Sequence, residues 1–409
     1  MLYCTDKVLE FSVLMFISCF AFGRSFKEVA MGLIVICLLI FKINKRQILP
    51  GNRLNIPLII FGITIVVSLL FSMDRVRSMD ILNDVVRASI ILFGVSSYLK
   101  GKKEIGRVLW AFLFMVVLQG IDGTFQYIYG FDFIRGYKLM GTVPGEGNRV
   151  TGSFGYWSVG NLLSLTLPFS YAFIEIVKKR RQEILLVLML LLPILTIILS
   201  RTRSSWISFL IFFAIFFLYA EKKRLYIPIL IIPVLFVVFG PSSLLDRLNS
   251  LARTGGAGRI GIWGTSMEMI KDSPIYGHGP GTFKNLYPDY KKKLPQYKSP
   301  GRTPHAHNIY IHTLAEMGII GLSSLLFLLY SMVSAILSAI KKSRGDPLLY
   351  SFSVAVLGSM TVYIIEGFLT HGLFRMWLMQ MLALIIGFTI AVSALASGEA
   401  GTNCIDSEK

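Results

Sequence analysis

Charge and cysteine are both scarce in this chain. Only 16% of its 409 residues are charged, where a soluble protein of this length carries about a quarter. Of the four cysteines, Cys4 and Cys404 lie near the ends and Cys19 and Cys37 within apolar runs. No CxxC pair occurs and no cysteine falls in an extended loop, which argues against a disulfide framework. A Walker loop, a dinucleotide fingerprint, heptad runs, internal repeats and low-complexity tracts are also missing, so coupling to nucleotide hydrolysis is not expected. The apolar run after Lys7 has no small-x-small cleavage site behind it and a second apolar run follows almost at once. It is expected to be a retained first helix rather than a signal peptide.

What the chain has instead is apolar surface, 54% of its residues. A span needs about 20 apolar residues, and that criterion places spans near 8–22, 28–42, 55–72, 80–99, 106–128, 156–177, 184–200, 204–220, 225–240, 308–340, 347–369 and 375–396. The expectation is an all-α polytopic membrane protein of about twelve transmembrane helices, with one long loop, 241–307, between the ninth and tenth. The net charge of +18 would suit nucleic acid, but no basic face or binding module accompanies it, so no nucleic-acid partner is expected. The basic residues cluster between spans, at Lys42/Lys45/Arg46/Arg53, Lys100/Lys102/Lys103/Arg107, Lys178/Lys179/Arg180/Arg181, Lys222/Lys223/Arg224 and Lys341/Lys342/Arg344. All five clusters fall on one side, which the positive-inside trend makes cytoplasmic, with both termini. Two segments then lie outside, 129–155 and 241–307. The second carries ten Lys/Arg against four Asp/Glu, which favours an anionic partner, bilayer phosphates included.

The densest constellation runs Pro304-His-Ala-His-Asn-Ile-Tyr-Ile-His-Thr-Leu-Ala-Glu-Met-Gly-Ile-Ile-Gly321, a polar loop entering an apolar helix. In one continuous helix from Asn308, Ile311, Leu314, Gly318 and Gly321 share the face below His307. Small residues there would admit a second helix or a lipid chain. Spacing alone leaves open whether His307 does chemistry or merely caps the helix. A zinc site from His305, His307 and His312 lacks a fixed acidic or cysteine ligand and matches no standard spacing; no metal is expected, and His305 and Glu316 are expected to be replaceable. Arginine appears where it is costly: Arg201 and Arg203 in Leu-Ser-Arg-Thr-Arg-Ser-Ser-Trp206, Arg259 four residues before Trp263, Arg149 ahead of the sixth span and Arg87 inside the fourth. Arg201 is expected to be an interfacial anchor with its head in water, whereas Arg203 and Arg259 suit a pyrophosphate, because guanidinium binds phosphate oxygens in bidentate fashion. For Arg149 and Arg87 a structural role is the favoured expectation.

With these residues in place the chain resembles the O-antigen ligase family of multi-spanning glycosyltransferases. The resemblance covers 140–325 in detail and the whole chain in topology. It rests chiefly on His307-Asn308, nine residues, then Gly318-Ile-Ile-Gly321, with Arg259-x-x-x-Trp263, the turn Gly277-His-Gly-Pro-Gly281 before Phe283, and Arg203 with its following Ser204 in support. It implies N-terminal helices over 1–139, a ligase-like catalytic region over 140–340, and C-terminal helices with a short cytoplasmic tail over 341–409. It also implies transfer of a glycan from undecaprenyl pyrophosphate to an acceptor hydroxyl, lipid A-core first among acceptors, at the periplasmic face of a bacterial inner membrane. His307 would be the base, Arg203 and Arg259 would hold the pyrophosphate, and Asn308, Gly318, Gly321, Trp263 and Arg149 would support them. No cofactor and no metal is called for, and one displacement would invert the anomeric centre. Alternatives within the resemblance are a polysaccharide polymerase or a protein O-oligosaccharyltransferase. A flippase is the rival of another class, and for it only Arg87 and Glu366 offer ionisable groups inside spans, with no half-to-half symmetry.

Overall fold

The computed structural model of the protein describes residues 2–44, 52–139, 148–155, 159–225, 227, 231, 257–296, 301, 303–370 and 372–398. Among them are thirteen α-helices and no named strand. In chain order these are α1 (Leu2–Ser18), α2 (Arg24–Ile43), α3 (Asn55–Leu70), α4 (Arg75–Tyr98), α5 (Lys102–Tyr129), α6 (Val159–Ile176), α7 (Arg180–Leu199), α8 (Arg203–Tyr219), α9 (Ala257–Asp272), α10 (Phe283–Lys293), α11 (Ile309–Lys342), α12 (Pro347–Leu369) and α13 (Met376–Ser397). All of the expected helix over 225–240 except 225, 227 and 231, and the loop from 241 to 256, lie outside the described residues.

Six helices, α5, α6, α7, α11, α12 and α13, are long and apolar enough to cross a bilayer; α3 and α8 are apolar but shorter. The chain is thus a multi-helix membrane protein, while the expected count of about twelve is not reached by these elements alone. The reason is visible in α4 and α2. The first turns of α4 carry Arg75, Arg77, Asp80 and Asp84, and its Arg87 forms an ion pair with Glu28 of α2. Arg87, which sequence had placed bare inside a span, is therefore neutralised by a neighbouring helix.

A stack of aromatic rings joins four spans. Phe112 of α5 stacks on Phe169 of α6 with ring centroids 4.3 Å apart, and Phe388 of α13 meets Phe169 at 5.3 Å and Phe352 of α12 at 5.4 Å. All four rings are buried. Helix α5 lies so close to α7 that side chains at Gly120 and Gly123 would collide with Pro193 and Thr196, the small-residue contact by which membrane helices gain dispersion energy. On α3, Ile56, Ile59, Ile60 and Ile63 are exposed and follow a helical stripe. In a bilayer such a stripe faces acyl chains.

The described residues of the basic clusters gather at one end of the bundle, where several are tied by ion pairs. Lys102 pairs with Asp346, the N-cap of α12, at 2.8 Å; Arg107 pairs with Glu10 at 2.7 Å; Lys222 pairs with Glu183 at 2.7 Å. The opposite end carries the turns after α3, α5 and α7, the helices α9 and α10, and the starts of α11 and α13.

At that end α11 is not one helix. Its 34 residues would run about 51 Å at 1.5 Å per residue, well beyond the roughly 30 Å of hydrocarbon. Gly318 breaks it with φ 62° and ψ −167°, a left-handed backbone that only glycine adopts without strain. The segment 309–317 is thus a short helix of its own, and the span begins after the break. This corrects the expected continuous face: Ile311 and Leu314 lie before the break, Gly321 beyond it, and the steps of 3.6 residues do not carry across.

Candidate active site

The break is filled by the Gly/Pro turn. The backbone N–H groups of His278 and Gly279 donate to the carbonyls of Ala315 (3.1 Å) and Glu316 (2.8 Å), and the N–H groups of Ile319 and Ile320 donate to Pro274 (2.8 Å) and Ile275 (3.4 Å). The carbonyls of Ala315 and Glu316 and the N–H groups of Ile319 and Ile320, which the kink frees, thus find partners in the turn, as burial requires. The approach is tight enough that a Cβ on Gly318 would lie 2.1 Å from the Ile275 carbonyl oxygen and one on Gly277 2.2 Å from the Glu316 carbonyl carbon. Gly321 sits directly against Met317, 2.1 Å from where its own Cβ would be. Gly318 therefore serves backbone packing against the turn and Gly321 leaves room for Met317 across the break, so neither faces the open groove expected for a lipid chain.

Glu316 completes this joint. Its buried carboxylate accepts from the N–H groups of Gly281 (2.8 Å) and Phe283 (2.9 Å) at the start of α10, where the helix dipole also favours negative charge. This geometry argues against the expectation that Glu316 is replaceable. Thr282, at the N-cap of α10, does not cap the helix itself, since its hydroxyl donates to the Gly279 carbonyl at 2.7 Å.

At the other end of the short helix, Asn308 is the cap. Its Oδ1 accepts from the N–H groups of Tyr310 (2.9 Å) and Ile311 (3.0 Å), worth about 1 kcal/mol. His307 is thereby relieved of capping. The spacing of the motif has a physical meaning: a cap, a short helix, a glycine break. His307 itself has φ 53°, and Arg201 is the other non-glycine with left-handed φ among the described residues. Each such backbone costs of the order of 1–3 kcal/mol and is held in place by its surroundings.

His307 Nδ1 lies 3.2 Å from the carbonyl oxygen of Thr370, which follows α12. A carbonyl only accepts, so Nδ1 carries the proton and Nε2 keeps its lone pair. His305 Nε2 lies 3.2 Å from the same oxygen, its ring 4.3 Å from that of His307. Burial, then the Arg259 guanidinium, and further Arg375 and His312, hold the His307 imidazole below its usual 6.5, at about 4, against the opposing pull of the Thr370 carbonyl. Arg259 owes its place to α9: one turn on, Trp263 donates its indole N–H to the carbonyl of Ala306 at 3.0 Å, fastening that face of the helix to the residue before His307. Arg375, ahead of α13, was not foreseen; the turn between α12 and α13 gave no motif to mark it.

The remaining arginines join at the same end. Polar residues of α5 tie down the 148–155 segment: Gln126 accepts from the N–H groups of Thr151 (2.8 Å) and Gly152 (2.9 Å), and Asp122 from those of Phe133 (3.0 Å) and Ser153 (2.6 Å). The Val150 N–H then donates to Leu199 at 3.2 Å, setting Arg149 beside the three-residue turn that carries Arg201 and leads into Arg203 at the start of α8. In α6, Asn161 donates to Ser204 at 3.2 Å, next to Arg203. Phe154 meets Trp377 edge to face at 5.7 Å, which links this corner to the start of α13 and Arg375. Arg201 is 5% exposed, so the expected interfacial anchor with a solvated head is instead buried and strained. His312 turns away, with Nε2 3.4 Å from Glu316 and its ring against Phe283. Among the described residues no three His, Cys, Asp or Glu side chains are grouped so as to hold a metal.

Around the neutral His307 imidazole, whose Nδ1 faces the Thr370 carbonyl, Arg259 and Arg375 lie close enough to lower its basicity, while Arg149, Arg201 and Arg203 belong to the same end of the bundle. Guanidinium groups can bind phosphate oxygens and a neutral imidazole can accept a proton. Among curated proteins no match to the chain was found. The family model described as O-antigen ligase matches residues 186–326, the stretch from α7 to beyond the glycine break that contains Arg203, Arg259, Trp263, His307, Asn308, Gly318 and Gly321, and this part of the chain is accordingly an O-antigen ligase domain in a multi-helix membrane protein.

Proposed function

We propose that the protein transfers a glycan from undecaprenyl pyrophosphate to an acceptor hydroxyl at the periplasmic face of the inner membrane, with lipid A-core as the acceptor. The observation that carries this reading is the pairing of a neutral, oriented His307 with Arg259 at the end of the bundle opposite the basic clusters. The acceptor oxygen attacks the anomeric carbon and its proton passes to His307 Nε2. The bond from that carbon to the pyrophosphate oxygen breaks, and the leaving group departs as lipid pyrophosphate, its charge met by Arg259 and Arg203. One such displacement inverts the anomeric centre. Arg149, Arg201 and Arg375 add to the positive field at this end of the bundle.

The depressed basicity of His307 fits this sequence of events. A group held near 4 is neutral at pH 7 and so is always ready to accept a proton, but it is a weak base. When a pyrophosphate dianion sits on Arg259, it offsets the guanidinium that lowers the imidazole, and the basicity of His307 rises once the glycan donor is bound. The break at Gly318 adds rigidity, since it bolts the loop 274–283 to the helix that carries His307.

The test is the carbohydrate profile of a strain lacking the protein. It should accumulate full-length glycan on the lipid carrier with uncapped lipid A-core. Accumulation of single repeat units would mean that the protein polymerises and would overturn the ligase reading.

A further inference from the structure

Away from the site, at the end where the basic clusters gather, a cleft opens between the start of α3 and the ends of α11 and α13. It holds a cavity of about 400 Å3 lined by Arg53, Ser338, Lys342, Ser393 and Ser397, among others. Lys342 reaches over it to Ser397 at 3.1 Å. The hydroxyl of Ser393 is buried there without a hydrogen-bond partner, although a serine in a span ordinarily bonds back to the carbonyl four residues before it, as Thr389 does at 2.7 Å. An unsatisfied buried hydroxyl beside two cations fits an oxygen-rich anion. Along the same three helices, joined by α4, runs a second cavity of about 460 Å3 with a wholly different lining, including Leu58, Ile65, Leu92, Leu328, Leu382 and Ile386. On α13 the two linings are one helical turn apart, at Ile386 and Ile390, and on α3 they meet at Leu54 and Asn55. From Asn55 to Ile65 the apolar slot extends about 15 Å along α3, half of the hydrocarbon thickness.

We propose that this cleft binds one anionic phospholipid from the leaflet at the basic end, its phosphate between Arg53 and Lys342 and within reach of Ser393, and one acyl chain in the slot between α3, α4 and α13. Basic pockets between spans at the cytoplasmic side are where such headgroups bind. The headgroup pocket lies at the opposite end from His307, so it is separate from the transfer site and does not depend on the proposed reaction; the leaflet rests on the orientation read from the basic clusters. The acyl chain would fill space between α13, which follows Arg375, and the body of the bundle, and so steady the far end from which that arginine is presented.

The full chain, purified in mild detergent, should retain one phosphatidylglycerol in native mass spectrometry and reject phosphatidylcholine at equal concentration. Each cation contributes about five-fold to affinity, from about 1 kcal/mol per basic residue, so Arg53→Gln with Lys342→Gln should cost about 25-fold. Ala394 also lines the cavity, and Ala394→Phe should block retention with both cations still present. Equal retention of the two lipids by the unaltered protein, or unchanged retention in the double variant, overturns the proposal. So does binding that appears only after residues 399–409 are removed, which would make the acidic tail the occupant. Retention of undecaprenyl phosphate through the same two cations in preference to phosphatidylglycerol would assign the slot to the glycan carrier and would likewise overturn it.

Discussion

At His307 the left-handed backbone, the Thr370 carbonyl and the neighbouring Arg259 all act on one imidazole. A base that must be neutral to work is active above its folded-state pKa and lost as pH falls through it. The ratio kcat/KM reports the free enzyme, so it should hold level from about pH 8 to about 5 and fall toward 4, because the free imidazole is held near 4. The acid limb of kcat should lie higher, since bound pyrophosphate offsets Arg259. A kcat limb at or below that of kcat/KM would show that the arginine does not meet the leaving group. His307→Ala and Arg259→Ala should each remove transfer by at least about 100-fold, the usual worth of a general base or a preorganised charge, with the protein still folded in the membrane. Glu316→Ala should instead reduce the yield of folded protein, because it leaves two buried N–H groups unmet at about 1–3 kcal/mol each; full yield and full activity would refute its bridging role.

The elements show what the order of residues could and could not reveal. The spans over α5, α6, α7, α11, α12 and α13 were legible because apolar length and lipid thickness are one physical quantity. The motif His307-Asn308 to Gly321 was legible as a unit, yet its geometry was not. A glycine inside an apolar helix reads as a packing site, and nothing in the local sequence says that residues 274–279, some forty positions earlier, will wedge into the backbone there. For the same reason Arg201 looked like a surface anchor: it is buried, and its turn is approached by a distant segment whose Val150 N–H donates to Leu199. Gly318→Ala tests the joint directly. The added methyl would meet the Ile275 carbonyl and hold a strained φ, at a cost of the order of 1–3 kcal/mol for the backbone alone. A clear drop in melting temperature in detergent is expected; an unchanged value would mean that the helix can close over the break.

For the whole molecule, the bundle has two chemically distinct ends, one of paired lysines and acidic caps and the other of arginines around a histidine. A cysteine at Lys292, an exposed position on α10, in a background with the four native cysteines replaced, should react with an impermeant thiol reagent added outside the inner membrane. Reaction only after lysis would invert the orientation. The division of labour between the ends leads to the most direct test, reconstitution of the purified protein in liposomes with undecaprenyl-pyrophosphate glycan and lipid A-core. Glycan-capped lipid A-core and free undecaprenyl pyrophosphate should appear with the unaltered protein and not with His307→Ala; capped product of equal amount from His307→Ala, or a lengthened carrier-bound glycan with no capped acceptor, would contradict the account.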